Sequence, residues 1–206
     1  MVNVEKRLFE LLEKHVPENA VGYCFDLWKE APFHFKVTRK RNTKAGDYRF
    51  DPRSRQHTIT VNHDLNQYAF LITYVHEVAH LRIQQEFARR VSPHGVQWKN
   101  EFRTLMLPML NDLVFPSDVL KPLAAHMRSP KASSYSDHRL TEALRKHDPQ
   151  GENLVSLARV SNGSAFSLNN RVFKKGVLRR TRFICEEVDT GRNFLISKSA
   201  LVEILG

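Results

Sequence analysis

An uninterrupted helical pattern from Leu65 to Phe87 is the feature that most constrains the fold of this chain. Apolar residues recur in it at spacings of three, four or seven, and no Pro or Gly breaks the run. Further apolar side chains, among them Phe70 and Val75, lie on other sides of the helix, so we expect neighbouring elements to cover most of its circumference. Asp64, followed three residues later by Gln67, is predicted to be the N-cap with a capping-box partner. The sequence therefore predicts a long, buried helix.

Two histidines, His76 and His80, lie four residues apart within this helix, and Glu77 follows the first of them. At that spacing both imidazoles project from one face and can converge on one divalent ion, with the carboxylate beside it. The alternative is two ordinary core histidines and a solvated glutamate, because a pattern with three fixed positions also arises by chance. Zinc needs a third protein ligand if one coordination position is to stay open for water. His94, in a loop between a proline and a glycine, is the predicted third ligand.

These residues resemble a known family. Glu77 between two helical histidines, then a basic loop, His94-Gly95 and Trp98-Lys99 at the start of another helix, resembles the SprT-like (Spartan-type) zinc metalloprotease domain. Upstream, residues 43–50 look like that family's glycine-containing hairpin, and residues 56–62 like the strand that leads into its metal helix. The resemblance implies an α+β, zincin-type fold with helices on a small antiparallel sheet at about residues 33–62, and a peptidase with one Zn²⁺ ion.

The chemistry expected of such a site is hydrolysis of peptide bonds in a protein substrate. Zinc on His76, His80 and His94 would lower the pKa of a bound water from about 15.7 to about 7 and polarise a substrate carbonyl. Glu77 would act as general base and then general acid. The group that stabilises the oxyanion is not identified by the pattern, and each candidate is equally explained as packing or as a solvated charge. The candidates are Tyr48, Arg49 and Tyr74.

The balance of charge indicates a polyanionic partner. Lysine and arginine number 32 against 22 acidic residues, which gives a formal charge of +10 and an isoelectric point near 9.8. Basic residues interleaved with aromatic ones can follow phosphates and stack on unpaired bases, although each can equally belong to a solvated face. The candidate nucleic-acid contacts are Arg39, Lys40, Arg41, Lys44, Arg49, Arg53 and Arg55, with Lys174, Lys175, Arg179, Arg180 and Arg182 in a second cluster.

Two functions remain open on the sequence alone. The resemblance implies a DNA-associated zinc metallopeptidase that acts on proteins bound to single-stranded or duplex DNA, in DNA–protein crosslink repair. The alternative is a nucleic-acid-binding protein whose metal centre is not proteolytic, because resemblance cannot prove turnover.

The chain is predicted to have three parts. Residues 1–128 form the SprT-like domain, residues 129–150 a linker with a short helix at 137–146, and residues 151–206 a small β-rich domain whose short segments are separated by turn signals. Within the first part we expect two N-terminal helices and a helix at 96–110 with Trp98 on its core face. With only Cys24 and Cys185, the chain cannot build the four-cysteine zinc ribbon of several bacterial family members, and both are expected to be buried.

The expected location is cytoplasmic, with association with the nucleoid as an option. The N-terminus lacks the apolar segment and cleavage site of a secretory leader, and no apolar run is long enough to span a bilayer. We therefore expect no membrane partner.

Overall fold

A computed structural model of the chain describes residues 2–41, 43–87, 91–131, 137–148, 154–169 and 171–205. The chain forms two compact units, Met1–Asp148 and Pro149–Gly206, and each is described by itself. Of the predicted linker, residues 132–136 and 149–150 lie outside the described residues, as does Asn153 in the first predicted β-segment. The domain boundaries drawn from the sequence at residues 128 and 150 stay a prediction.

Helices supply most of the first unit, in the regions where the apolar periodicity predicts them. Short 3-10 turns at Glu18–Ala20 and Leu107–Met109 extend two of these regions. The helices are α1 (Val2–His15), α2 (Val21–Glu30), α3 (Gln67–Glu86), α4 (Val96–Met106), α5 (Ser117–Arg128) and α6 (His138–Arg145).

Three strands form the sheet of the first unit. They are β1 (His34–Thr38), β2 (Gly46–Asp51) and β3 (Gln56–Asn62), in the spatial order β1-β3-β2. Strand β2 pairs antiparallel with β3, as expected of a hairpin, whereas β1 runs parallel to β3. The α+β fold is thus confirmed, and the sheet is mixed rather than purely antiparallel. Strand β2 stands at an edge of this sheet.

Helix α3 is the centre of the core, and its long middle section is buried. It packs on the sheet, where Ile59 of β3 is buried. The ring of Tyr74 on α3 contacts the rings of Phe33 and Phe35. Because so much of α3 is tightly packed, the helix cannot rotate, and the directions of its side chains are fixed.

The N-cap of α3 is Asn66, so the predicted cap at Asp64 is wrong. The Asn66 side chain accepts hydrogen bonds from the backbone N–H groups of Tyr68 (3.1 Å) and Ala69 (3.0 Å), and its amide group donates to the Leu144 carbonyl (2.8 Å). Asp64 instead lies 3.4 Å from Lys40 Nζ. Both Asp and Asn are common N-cap residues, and the hydrogen bond to Leu144, far along the chain, favours Asn66 at this position.

The second unit is a single six-stranded sheet in the order β4-β9-β5-β6-β7-β8. Every described pair of neighbouring strands is antiparallel, as the closely spaced turn signals predict. Its small core includes Phe166, Phe173 and Cys185, and Cys24 is buried in the first unit. The strands are β4 (Leu154–Ser156), β5 (Ala165–Leu168), β6 (Arg171–Arg179), β7 (Arg182–Glu187), β8 (Asn193–Ser197) and β9 (Leu201–Ile204).

Candidate metal centre

Three histidine side chains converge at one point in the first unit. The Nε2 atoms of His76, His80 and His94 lie 3.0–3.3 Å from one another. Two nitrogens that bind one zinc ion tetrahedrally at about 2.0–2.1 Å are themselves roughly 3.3 Å apart, so this triangle has the size that zinc requires. Among the described residues, this is the group of histidine, cysteine and acidic side chains that could hold a metal ion.

A helix and a loop together produce this triangle. His76 and His80 are separated by about one turn of α3, so their rings lie on the same face of the helix. His94 lies outside the helices with φ of 59°, a left-handed backbone conformation that is uncommon for a residue with a side chain. The Gly95 N–H donates to the Ser92 carbonyl (3.0 Å), and Gly95 is the N-cap of α4. The turn at residues 92–95, directly before α4, therefore holds the third imidazole beside the other two.

Trp98 packs against all three histidines. The distances from its ring to the ring centroids of His76, His80 and His94 are 4.5, 5.2 and 4.7 Å. Phe102, one turn further along α4, stacks on Trp98 at 5.0 Å. Both aromatic residues are buried, as predicted for the core face of this helix. Helix α4 therefore forms an apolar wall against which the three imidazoles rest, a role that the periodicity alone does not reveal.

Burial keeps the three imidazoles neutral. It is the largest cause that lowers the pKa of His76 to about 2 and that of His80 to about 4, and it also lowers the pKa of His94. The proximity of the rings to one another adds to the effect at His76 and His80. Neutral imidazoles have the free lone pairs that a divalent cation needs.

Glu77 lies on the same helix, buried against strand β2. Burial is the main cause that raises the pKa of Glu77 to about 8, and the carboxylate of Asp47 adds to it, while the backbone N–H of Tyr48 donates to Glu77 and lowers it. A Cβ atom on Gly46 would lie 2.6 Å from Glu77 Oε1 and 2.6 Å from Thr73 Cγ2. Only glycine therefore allows β2 to approach this closely.

A cavity of about 380 Å³ opens over these groups. Strand β2 and the preceding residues 43–45 form one wall, and α3 with its two histidines and Glu77 forms another. Phe102 and His126 also line the cavity. Asn62 holds the β2 wall in place, since its amide group donates to the carbonyls of Arg41 (3.1 Å) and Lys44 (3.0 Å). The arrangement brings a candidate metal site, a carboxylate and an edge strand to one cavity.

The candidate oxyanion stabilisers are engaged elsewhere. Tyr74 is buried in the core, where its hydroxyl donates to the Cys24 carbonyl (2.8 Å). The Arg49 guanidinium donates to Asp47, and the Tyr48 hydroxyl forms a hydrogen bond with His57 Nδ1 (2.8 Å). Tyr48 does line the cavity, but its polar atom is committed to this partner.

Sequence reasoning missed His126. It lies on α5, far along the chain from His94, and no spacing in the sequence connects it to the motif. The sequence offered one indication: His126 falls on the apolar face of an amphipathic helix, close to Leu123 and Met127, which are both buried.

The basic residues predicted to contact nucleic acid in the first unit differ in how they are held. The half-buried Arg41 donates from Nε to Asn62 Oδ1 (2.7 Å). Lys44 and Arg49 both donate to the carboxylate of Asp47, at 2.8 and 2.6 Å. These three are tied to the sheet and its preceding loop. The other predicted contacts in this unit are exposed: Arg39, Lys40, Arg53 and Arg55.

In the second unit the structure separates Lys175 from the other predicted contacts. Lys175 is buried, its ammonium group donates to the Val160 carbonyl (2.6 Å), and its Nζ lies 3.8 Å from the centroid of the Phe183 ring. Because this charge is turned into the unit, we remove Lys175 from the candidate set. The others are exposed: Lys174, Arg179, Arg180 and Arg182.

Comparison with known proteins identifies one family. The family model of the SprT-like family matches residues 6–113, which begin within α1, extend beyond α4 and include the sheet and the three histidines. The match extends over more than half of the chain. No curated protein and no solved structure matches. In the part of the chain that the structure describes, no helix combines the length and apolar character needed to cross a membrane.

Proposed function

This chain belongs to the SprT-like family, a family of metallopeptidase-like domains, and we propose that it is a zinc-dependent metallopeptidase that hydrolyses peptide bonds of DNA-bound proteins. The observation that carries the proposal is the triangle of His76, His80 and His94 beside the buried carboxylate of Glu77, at the wall of one cavity. A ligand set of three neutral nitrogens leaves a zinc ion with one position for water or substrate, which is typical of catalytic zinc sites.

The mechanism assigns a separate role to each group of residues. A zinc ion held by His76, His80 and His94 would supply Lewis acidity to the substrate carbonyl and to the attacking water. Glu77 accepts a proton from that water as its oxygen bonds to the carbonyl carbon. It then gives this proton to the amide nitrogen as the carbon–nitrogen bond breaks, so the products are a carboxylic acid and an amine, and the acid then loses its proton to the amine or to solvent. Burial raises the pKa of Glu77 in the protein without a bound ion, and a zinc ion beside this carboxyl would lower that pKa and favour the ionised form that accepts the proton.

Strand β2 supports a peptide as the substrate. It is an edge strand of the described sheet and it lines the cavity beside the three histidines. An extended substrate can pair with the backbone donors and acceptors of Gly46–Asp51, which recognise main chain and not side chains. We therefore expect broad sequence specificity.

The exposed arginines and lysines support DNA as the partner that brings substrates to the site. The formal charge of +10 favours a polyanion, and Lys44, which borders the cavity, belongs to the basic segment before β2. Contacts of this kind bind phosphates and carry no information about base sequence.

The test of hydrolysis uses substitutions that separate metal binding from catalysis. Glu77→Gln should retain zinc and lose cleavage of a basic protein substrate, because it keeps the shape of the side chain without a proton acceptor. His94→Ala should lose both zinc and cleavage. Glu86→Gln, an exposed change at the end of the same helix, is the control and should behave as wild type. Cleavage by a zinc-loaded Glu77→Gln protein, with metal content measured by mass spectrometry, would contradict the assignment.

The test of DNA binding uses the dependence on salt. Binding should weaken steeply as salt increases, because cationic side chains displace counterions from phosphates. Arg39→Gln with Arg53→Gln should reduce the logarithmic salt slope by about 1 for each of the two arginines that binds a phosphate. Lys6→Gln with Lys14→Gln changes the formal charge by the same amount on α1 and should leave the slope unchanged. Absent or salt-independent binding to single-stranded and duplex DNA would remove DNA from the proposal.

The non-proteolytic alternative has its own outcome in the same assays. A protein that holds zinc and binds DNA, yet cleaves neither a protein substrate nor its own chain when both are present, is a nucleic-acid-binding module with a non-proteolytic metal centre.

A further inference from the structure

A fourth histidine faces the cavity of the metal centre. His126 lies on α5 and lines the cavity together with the three converging histidines and Glu77. Its side chain is only 1% exposed, which is unusual for a polar group without a function in packing or chemistry. It does not belong to the group whose ligand atoms lie within 4.8 Å of one another, so it stands apart from the proposed metal ligands.

Asp137 fixes the orientation of the His126 ring. The distance from His126 Nδ1 to Asp137 Oδ2 is 3.2 Å. Asp137 is itself held, because it is the N-cap of α6 and its Oδ1 accepts the backbone N–H of Leu140 (3.3 Å). Burial alone would raise the pKa of Asp137, but the hydrogen bonds from His126 and Leu140 outweigh it and lower the pKa. The carboxylate therefore stays ionised and accepts the proton of Nδ1.

This arrangement leaves one polar ring atom of His126 for the cavity. Nδ1 is committed to Asp137, and no described residue forms a hydrogen bond with Nε2. The hydroxyl groups of Tyr48 and Tyr74, by contrast, are engaged with other partners, and Arg49 does not line the cavity. A hydrolytic site needs a hydrogen-bond donor where negative charge develops on the carbonyl oxygen.

We propose that His126, oriented by Asp137, is a catalytic residue whose Nε2–H donates a hydrogen bond to the carbonyl oxygen of the scissile peptide as that oxygen becomes negatively charged. The inference rests on the proposed peptidase function and names a further residue of the same site. The His126 ring is neutral before the reaction; it takes the proton on Nε2 from solvent as the carbonyl oxygen becomes negatively charged, and it returns that proton to solvent after the peptide bond is broken. The proton that leaves the attacking water passes through Glu77 alone.

The environment of His126 makes this hydrogen bond strongest in the transition state. Burial is the largest cause and leaves the pKa of His126 below its ordinary value of 6.5, although the hydrogen bond and the charge of Asp137 raise it. Without substrate, the Asp137 carboxylate therefore lies beside a buried and uncharged ring. When the carbonyl oxygen becomes anionic, the imidazolium lies between two negative groups and its charge is compensated on both sides. An interaction that strengthens as the reaction proceeds raises kcat, and it does little for the binding of the uncharged peptide.

The competing explanation is that the His126–Asp137 pair only joins α5 to α6. A purely structural pair would change stability and would not distinguish an anionic tetrahedral ligand from a planar one. The experiment therefore compares two zinc-binding peptide analogues with identical side chains. One carries a phosphonamidate, which places anionic oxygens at a tetrahedral centre, and the other carries a hydroxamate.

The full-length, zinc-loaded protein is tested as wild type, His126→Ala, His126→Gln and Asp137→Asn, with zinc content and thermal unfolding measured for each. His138→Gln is the control, because His138 is an exposed histidine directly after Asp137. For His126→Ala we expect kcat to fall about 10²-fold with little change in KM. The phosphonamidate should bind about 10²-fold more weakly, while hydroxamate affinity and zinc content stay as in wild type. His126→Gln, whose amide can donate one hydrogen bond, should fall between wild type and His126→Ala.

Equal losses of affinity for the two analogues, or a kcat close to wild type in a folded His126→Gln protein, would overturn the role of His126 and leave the proposed peptidase function intact. Failure of the zinc-loaded wild type to cleave any peptide or to bind either analogue would overturn the peptidase function, and the role of His126 with it.

Discussion

At the scale of single residues, Gly46 controls the distance between the edge strand and the carboxylate. Strand β2 passes so close to α3 that a side chain at this position would overlap Glu77 Oε1 and Thr73. The same approach lets the Tyr48 N–H reach Glu77. One glycine therefore sets the distance between strand β2 and the proposed general base.

Replacement of Gly46 by alanine should separate these two elements. The added methyl group must push β2 away from α3, which should cost about 1–3 kcal/mol of unfolding free energy and lower the rate of peptide cleavage. Gly22→Ala is the matched control, because a Cβ atom there meets nothing within 4 Å and the position is helical. It should be neutral or stabilise the protein by about 0.5–1 kcal/mol. Urea unfolding checks both, and equal stability of the two variants would contradict the close approach of β2 to α3.

The buried histidines make the stability of the metal-free protein depend on pH. The pKa of His76 is about 2 when folded and takes the ordinary value of 6.5 when unfolded. Below pH 6.5 the unfolded chain therefore binds the extra proton, so the histidine's contribution to stability is lost as the pH falls. Glu77 acts in the opposite sense between its ordinary pKa of 4.5 and about 8, because there the folded protein holds the extra proton.

Comparison with His76→Gln isolates the histidine, because Glu77 is present in both proteins. The free energy of unfolding of the chelator-treated wild type, minus that of the variant, should decrease by up to about 1.4 kcal/mol for each pH unit below neutrality. Urea titrations at about pH 7 and about pH 5 measure this difference. A difference that does not change with pH would contradict the burial of a neutral His76.

At the scale of elements, α4 packs directly against the three histidines. It covers the candidate metal site with Trp98, whose ring contacts all three imidazoles, and Phe102 stacks on that ring. The three histidines are consequently oriented by packing as well as by their backbones.

Trp98→Phe should weaken zinc binding although it removes no ligand. The smaller ring leaves part of the space beside the histidines unfilled, so their orientation is less restricted, and we expect zinc affinity to fall about tenfold. Val96→Ala, at an exposed position of the same helix, should leave the affinity unchanged. Competition with a zinc-sensitive dye gives both constants. Wild-type affinity in a correctly folded Trp98→Phe protein would show that the backbone alone orients the ligands.

The sequence predicts the helices and strands more reliably than it predicts which elements pack against each other. The helical period located α3, and the proline and glycine on either side of His94 indicated a loop histidine, which the structure brings to the other two. Alternation of apolar and polar residues along a strand shows which face of the strand is buried, but it does not show which strand lies beside it. The parallel pairing of β1 with β3 therefore could not be predicted from the sequence. The choice of Asn66 as the N-cap depends on Leu144, and the place of His126 depends on how α5 packs; both are set by contacts distant in sequence.

At the scale of the whole molecule, the chain combines two units with separate cores. The candidate metal ligands all belong to the first unit. The core of the second unit is small, and it includes buried polar groups such as Lys175 and Glu187. Nothing that binds to the histidines alone should therefore stabilise the β-rich unit directly.

Calorimetry should accordingly resolve a zinc-dependent and a zinc-independent unfolding transition. At a free zinc concentration one hundred times the dissociation constant, the first unit should gain about 2.7 kcal/mol, whereas the transition of the second unit stays in place. His94→Ala should abolish the shift. One transition that moves as a whole on addition of zinc would show that the units unfold together.

The left-handed backbone of His94 bears on how long a metal ion stays bound. Two of the candidate ligands share one rigid helix, whereas the third has a φ of 59°, which costs a residue with a side chain about 1–2 kcal/mol. Relaxation of His94 would relieve its backbone and remove one ligand in the same motion, which would make it the first step of release of a bound ion. The residence time of the ion would then be set by the turn before α4, and the histidines of α3 would remain in place to receive the next one.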